Sequence, residues 1–136
     1  MNILFLGDIV GNSGCEAVKK NLTKIIKDKS IDFVVANGEN AAKEGVGITE
    51  NITNELLSSG VDVITTGNHV WDQKETYDFI IEQKRLLRPL NLLGKTPGKG
   101  FDIFHSRKGF KIGVLNLMGN IFMKKCNDVF IEAKIF

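Results

Sequence analysis

Three short polar motifs, Gly7-Asp8, Gly38-Glu39-Asn40 and Gly67-Asn68-His69, each follow an apolar run of strand type in this chain. The runs are Asn2 to Leu6 (NILFL), Ile31 to Ala36 (IDFVVA) and Val61 to Thr65 (VDVIT). Between them, apolar residues recur at helical spacing: Cys15, Val18, Leu22, Ile25 and Ile26, then Ile52, Leu56 and Leu57. Strands alternating with helices of this length require right-handed crossovers and a largely parallel sheet covered on both faces. The expected class is therefore a layered α/β fold. In such a sheet the loops at the carboxyl ends of the strands share one edge, which is where ligands bind, and all three polar motifs fall there.

Local signals mark the element boundaries. Ser13 with Glu16 fits a capping box that starts the first helix. Thr49 caps the second helix and Gly60 ends it. Asp72 and Glu75 repeat the capping pattern ahead of a helix holding Phe79, Ile80 and Ile81, which leads to a short run around Leu86 to Leu92. Beyond Pro97-Gly98 the pattern changes: Gly100 to Ser106 and Lys111 to Leu117, joined by Arg107-Lys108-Gly109, read as an antiparallel hairpin. The tail from Phe122 to Phe136 is mixed, either a helix or a frayed end.

The 136 residues suit one domain with a buried core. With 43% apolar and 25% charged residues, the balance is that of a globular chain. No apolar run approaches the roughly 20 residues that span a bilayer. No basic leader precedes the first run, so a cytoplasmic location is expected. The 18 basic and 16 acidic residues leave a net charge of +2, too weak a bias for a nucleic-acid surface. Cys15 and Cys126 follow no CxxC spacing and read as small apolar residues.

The chemistry rests on the three motifs. Asp8 and Glu39 brought together would repel one another, and a divalent cation between them removes that cost. Asn40 and Asn68 add neutral oxygen donors; the alternative is that they are turn residues tolerant of left-handed backbone. His69 is either a further ligand or a proton donor beside one. Two phosphate-loop look-alikes fail. Gly7, Gly11 and Gly14 lack the GxGxxG spacing, and Gly94-Lys95-Thr96 has Pro89 where a phosphate loop needs its first glycine. His105 reads as a solvent-facing or packing residue, and Trp71 as packing beneath its loop or bordering a base pocket.

The segments GDIVG (7–11), NGENAA (37–42), GNHVWD (67–72), RPLN (88–91), TPGKG (96–100) and NLMG (116–119) occur in order over nearly the whole chain. Together they resemble the YmdB-like metallophosphoesterases of the calcineurin-like superfamily, described as 2',3'-cyclic-nucleotide 2'-phosphodiesterases. The resemblance implies a layered α/β/β/α domain with a centre of two divalent or mixed-valence metal ions, iron or manganese. It implies that Asp8, Glu39, Asn40 and Asn68 bind metal, with Glu39 at the bridging position, and that His69 is the catalytic general acid. The implied reaction opens a small-molecule cyclic nucleotide or phosphodiester with a hydroxide activated by both metals, leaving a 3'-nucleotide.

Family members are about twice as long, and their second half carries further histidine ligands in DxHAE-like and GTHTH-like motifs. Here the only histidines are His69 and His105, in neither motif. The expectation is that residues 1–136 are the N-terminal portion of a single metallophosphoesterase domain, apparently truncated, with an incomplete metal site and an exposed sheet edge. Homo-oligomerisation or a missing C-terminal half follows from that edge. The alternative is a non-catalytic α/β module that oligomerises or binds metal or nucleotide weakly.

Overall fold

The computed structural model describes residues 1–134; Ile135 and Phe136, the end of the mixed tail, lie outside the described residues. Strand β1 (Ile3–Leu6), helix α1 (Gly11–Asp28), β2 (Phe33–Asn37), α2 (Glu50–Ser58), β3 (Val63–Thr65), α3 (Thr76–Phe79) and β4 (Leu86–Leu87) alternate along the chain. They are followed by the antiparallel pair β5 (Phe101–His105) and β6 (Lys111–Leu115) and by a short α4 (Val129–Ala133). No helix among the described residues is long and apolar enough to cross a membrane.

The first four strands form one parallel sheet in chain order, β1-β2-β3-β4, with Ile3 opposite Phe33 and Val35 opposite Val63. Each crossover steps one strand in the same direction. Right-handed connections then put α1, α2 and α3 on one face. On that face Val34, Ala36, Ile64 and Leu86 bury against Leu22, Leu56 and Ile80 of the helical layer. The opposite face, Phe33, Val35, Val63 and Leu87, packs on Phe104, Ile112 and Val114 of the hairpin. Phe33 and Phe104 meet with ring centroids 6.3 Å apart. Buried on both faces, β2 and β3 are continuous apolar runs, as central parallel strands must be.

The described residues thus supply three layers, α/β/β. The outer face of the hairpin stays open, with Ile103 exposed, and α4 buries none of its residues. β1 is the sheet edge, and its burial alternates. Leu4 and Leu6 pack on the helical layer, while Ile3 and Phe5 on the other face are 48% and 63% exposed.

Two boundary expectations are corrected. Ser13 does not cap α1: the helix starts two residues earlier at Gly11, with Val10 in the capping position and no side-chain cap. A bridge between Val10 and Asn40 fixes that entry, so Ser13 already lies inside the first turn. Asp72 and Glu75 do not cap a long third helix either. Residues 70–75 turn tightly, α3 spans only Thr76–Phe79, and Ile81 is exposed beyond it. Thr49 does cap α2, its hydroxyl accepting from the Ile52 N–H at 3.2 Å. The hairpin forms where its turn signal placed it, and Gly109 there takes φ +81°.

The two sheets are pinned together at the amino ends of β2 and β3. Lys108 pairs with the buried Asp32 at 2.8 Å, and Arg107 with Asp62 at 2.6 Å. The Lys108 ammonium, helped by the Asn2 N–H, holds the Asp32 carboxyl below its usual range. At the other end of the fold, Arg88, Asn91 and Asn116 fasten the chain through carbonyl acceptors. Arg88 donates to the carbonyls of Pro89 and Pro97, at 2.8 and 3.0 Å. Asn91 donates to Met118 O, and Asn116 to Thr66 O and Leu87 O. These bonds account for the RPLN and NLMG segments as structure.

Candidate functional site

Backbone hydrogen bonds bring the three polar loops together at the carboxyl ends of β1, β2 and β3. Ile9 N–H donates to Asn37 O at 3.0 Å and Gly11 N–H to Asn40 O at 2.9 Å, joining the first loop to the second. Gly38 N–H donates to Thr65 O at 2.9 Å, joining the second loop to β3. With the loops so fixed, Asn40 Nδ2 lies on the Asp8 carboxylate, 2.9 and 3.0 Å from its two oxygens. The other amide atom, Asn40 Oδ1, is buried and has no hydrogen-bond donor among the described residues. A buried acceptor without a partner carries a desolvation cost.

Glu39 is held from three directions. Its own N–H donates to Asn37 Oδ1 at 3.0 Å, Asn37 Nδ2 donates to its Oε1 at 3.2 Å, and the His69 N–H reaches Oε2 at 3.5 Å. The carboxylate lies directly over Gly67. A Cβ on that glycine would come within 2.7 Å of the carboxyl carbon, so only glycine leaves room for Glu39.

His69 and Asp72 close one tight turn, in which Val70 N–H donates to Gly67 O and Asp72 N–H to His69 O. Their side chains meet at 2.6 Å, His69 Nδ1 to Asp72 Oδ2, and each is about a third exposed. A proton on Nδ1 satisfies the carboxylate and leaves Nε2 without a hydrogen-bond partner among the described residues. Sequence reasoning assigned Asp72 to a helix cap and gave Asn37 no part. The signals were present: an acid three residues after the histidine, and an Asn two residues before the glutamate.

The structure therefore brings Asp8 to Asn40 and Glu39 to His69. The Asn68 side chain follows Gly67 in the same loop but makes no hydrogen bond among the described residues. Neither Asp8 nor Glu39 has an ion-pair partner among the described residues. Nor do any three His, Cys, Asp or Glu side chains among them gather closely enough to hold a metal ion. His105 is exposed on β5 opposite Lys111, away from the loops. Trp71 packs on the helical core and lies 5.3 Å from the Tyr77 ring. A cleft of about 650 Å³ runs between the two sheets, from Ile3 and Phe5 past Ile112 to Asn37, Glu39 and Gly67.

Comparison with known proteins agrees with this architecture. The chain is 44% identical over 133 residues to a 2',3'-cyclic-nucleotide 2'-phosphodiesterase of Bacillus subtilis (strain 168), covering 98% of this chain and 50% of that protein. A crystal structure of a hypothetical protein from Thermus thermophilus superposes with a TM-score of 0.89 at 38% identity, covering 99% of this chain and 52% of the other. A novel phosphatase of Mycoplasma pneumoniae does so with a TM-score of 0.88 at 34% identity, covering 98% and 49%. The chain spans about half the length of the curated relatives it matches. The family model of YmdB-like proteins matches residues 4–136, and the chain belongs to that family.

Proposed function

We infer that this chain carries part of a metal-dependent phosphodiesterase site that hydrolyses 2',3'-cyclic nucleotides to 3'-nucleotides. The observation that carries this reading is the pair of carboxylates, Asp8 and Glu39, at one end of the sheet with no Lys or Arg paired to them among the described residues, beside the loop in which Asp72 holds His69. The activity by which the Bacillus subtilis relative is named supports the substrate class.

The donors fit hard or borderline cations: Asp8, Glu39, Asn40 and Asn68 all offer oxygen, and the buried Asn40 Oδ1 lacks a partner among the described residues. Turning that amide over would present its oxygen to a cation on Asp8. Bound divalent ions, iron or manganese, would activate water and stabilise charge on the phosphoryl oxygens. The chain's own residues supply the rest. Asn37 orients Glu39, and Gly67 leaves it space. Hydrolysis forms a bond from the water oxygen to phosphorus and breaks the bond from phosphorus to the ribose 2'-oxygen; His69, as an imidazolium whose Nδ1–H donates to Asp72, would give its Nε2 proton to the departing oxygen.

A second reading, a module that binds metal weakly without turnover, is favoured by the lack of a three-residue His/Cys/Asp/Glu cluster among the described residues. Metal analysis together with hydrolysis of bis-p-nitrophenyl phosphate in added Mn²⁺ separates the two. Catalysis predicts bound metal, turnover lost with metal in Asp8→Asn, and a fall of about 10²- to 10⁴-fold in kcat for His69→Ala with metal retained. Absence of both metal and turnover removes catalysis by this chain.

A further inference from the structure

The chain has one tryptophan and one tyrosine, and the fold puts them together just past His69. Trp71 and Tyr77 meet with ring centroids 5.3 Å apart and planes tilted by 57°. Trp71 packs on the helical core and is partly buried, whereas Tyr77, in α3, is 51% exposed. Neither the indole N–H nor the Tyr77 hydroxyl has a hydrogen-bond partner among the described residues. The segment that carries both rings is fixed to the loop that follows Glu39 and Asn40. Gln73 Nε2 donates to Val46 O at 2.9 Å, and Thr76 Oγ1 to Ile48 O at 2.7 Å. Gly47 packs so closely there that a Cβ on it would lie 2.7 Å from Gln73 Cγ. Two residues of chain span at most about 7 Å, so the Trp71 backbone stays beside that of His69.

We propose that Tyr77 and Trp71 form a base-binding platform: Tyr77 offers a π-face on which a purine or pyrimidine stacks, and the Trp71 indole N–H donates to an acceptor on that base. The inference rests on the phosphodiesterase reading for one point, that the ligand is a nucleotide. In a 2',3'-cyclic nucleotide one ribose ring carries both the phosphate and the base. A phosphate set beside His69 therefore leaves its base one sugar away, within reach of the segment that holds both rings. Stacking suits every base, because each has a π-face, and a platform already fixed by Gln73 and Thr76 loses little freedom on binding. Lys74, Glu75 and Asp78, neighbours of Tyr77 in the chain, are exposed and charged. A flat ring with polar edges fits such surroundings better than an extended apolar face does.

The test titrates the full 136-residue chain, in a chelator so that no turnover interferes, with adenosine 2',3'-cyclic phosphate. Ribose 5-phosphate, which lacks a base, is titrated in parallel. Trp71 and Tyr77 are each the only residue of their kind, so indole fluorescence and the tyrosine ring resonances report on this surface alone. The cyclic nucleotide should quench Trp71 saturably, shift the Tyr77 ring protons upfield and move the indole N–H resonance, and ribose 5-phosphate should do none of these. Tyr77→Phe keeps the π-face and should bind as the parent does. Tyr77→Leu keeps the bulk without that face and should weaken binding about tenfold or more. Tyr77 is half exposed, and thermal melting checks that both variants fold. The proposal is overturned if neither ring responds in the millimolar range, if ribose 5-phosphate gives the same response, or if Tyr77→Leu binds as tightly as the parent. Hydrolysis of bis-p-nitrophenyl phosphate without base binding overturns this inference alone. Base binding by a chain that holds no metal keeps it while the phosphodiesterase reading falls.

Discussion

At the amino ends of β2 and β3, Asp32 and Asp62 meet Lys108 and Arg107 at 2.8 and 2.6 Å, whereas at the carboxyl ends of β1 and β2, Asp8 and Glu39 meet only amide N–H groups among the described residues. Four acids flank one parallel sheet, and their surroundings divide them by end. The amino-end pairs join the hairpin to the first sheet, across the seam where Phe33 stacks on Phe104. The carboxyl-end acids join nothing by charge. Their loops are ordered by neutral bonds instead, such as Gly47 N–H to Glu39 O, Gln73 Nε2 to Val46 O and Thr76 Oγ1 to Ile48 O. The amino-end carboxylates are thus paired by charge, and among the described residues those at the carboxyl end are not.

The largest effect that tests this division is on stability. Asp62 accepts both the Val34 N–H, at 2.7 Å, and Arg107 Nη1. Asp62→Ala leaves a strand amide and a guanidinium without their acceptor, at a cost of about 2 kcal/mol and a fall of about 5 to 10 °C in Tm. Asp8→Asn and Glu39→Gln should stay within about 0.5 kcal/mol of the parent, because no cation loses a partner. Thermal melts of the three variants decide the matter. A drop for Asp8→Asn as deep as that for Asp62→Ala would erase the difference between the ends.

A smaller effect probes how the carboxyl-end loops are ordered. Thr49 ends the long loop after Glu39, and its hydroxyl caps α2, so Thr49→Ala should cost about 1 kcal/mol. That loss should be the same in low and high salt, since no charge is involved, while the Asp62→Ala loss should shrink as salt rises. Ser13→Ala should fall within about 0.5 kcal/mol of the parent, because Ser13 makes no cap. The contrast between Thr49 and Ser13 also shows what the sequence could reveal. Thr49 is legible because its cap is made within four residues. The start of α1 is not, because a distant strand-like contact between Val10 and Asn40 sets it. That Asp8, Glu39 and His69 lie on loops at one end of the sheet was legible for a related reason: strand period and loop position place those loops without any knowledge of packing. Asp72 was hidden because its spacing from His69 reads equally as a helix cap, and only the tight turn at 67–72 resolves the two. The open face of β1 was hidden further, since exposure of Ile3 and Phe5 depends on which strands the hairpin covers.

The smallest effect concerns acid. Lys108 is largely exposed, yet it is the leading cause of the lowered Asp32 pKa. A carboxyl whose pKa is lower folded than unfolded binds fewer protons in the folded state as pH falls. Its contribution is therefore complete above its ordinary value of 3.8 and is lost as pH drops through the lowered one. Lys108→Met should leave Asp32 nearer its ordinary value and flatten the acid side of the stability curve between about pH 5 and pH 2. Some slope should remain, because Lys99 lowers Asp102, and Lys19 lowers both Glu16 and Glu55, in the same direction. Only the difference between the two curves therefore belongs to Asp32. Curves that run parallel down to the lowest pH would show that the Lys108–Asp32 pair is idle for stability, and that the Arg107–Asp62 pair and hydrophobic packing hold the hairpin on the sheet.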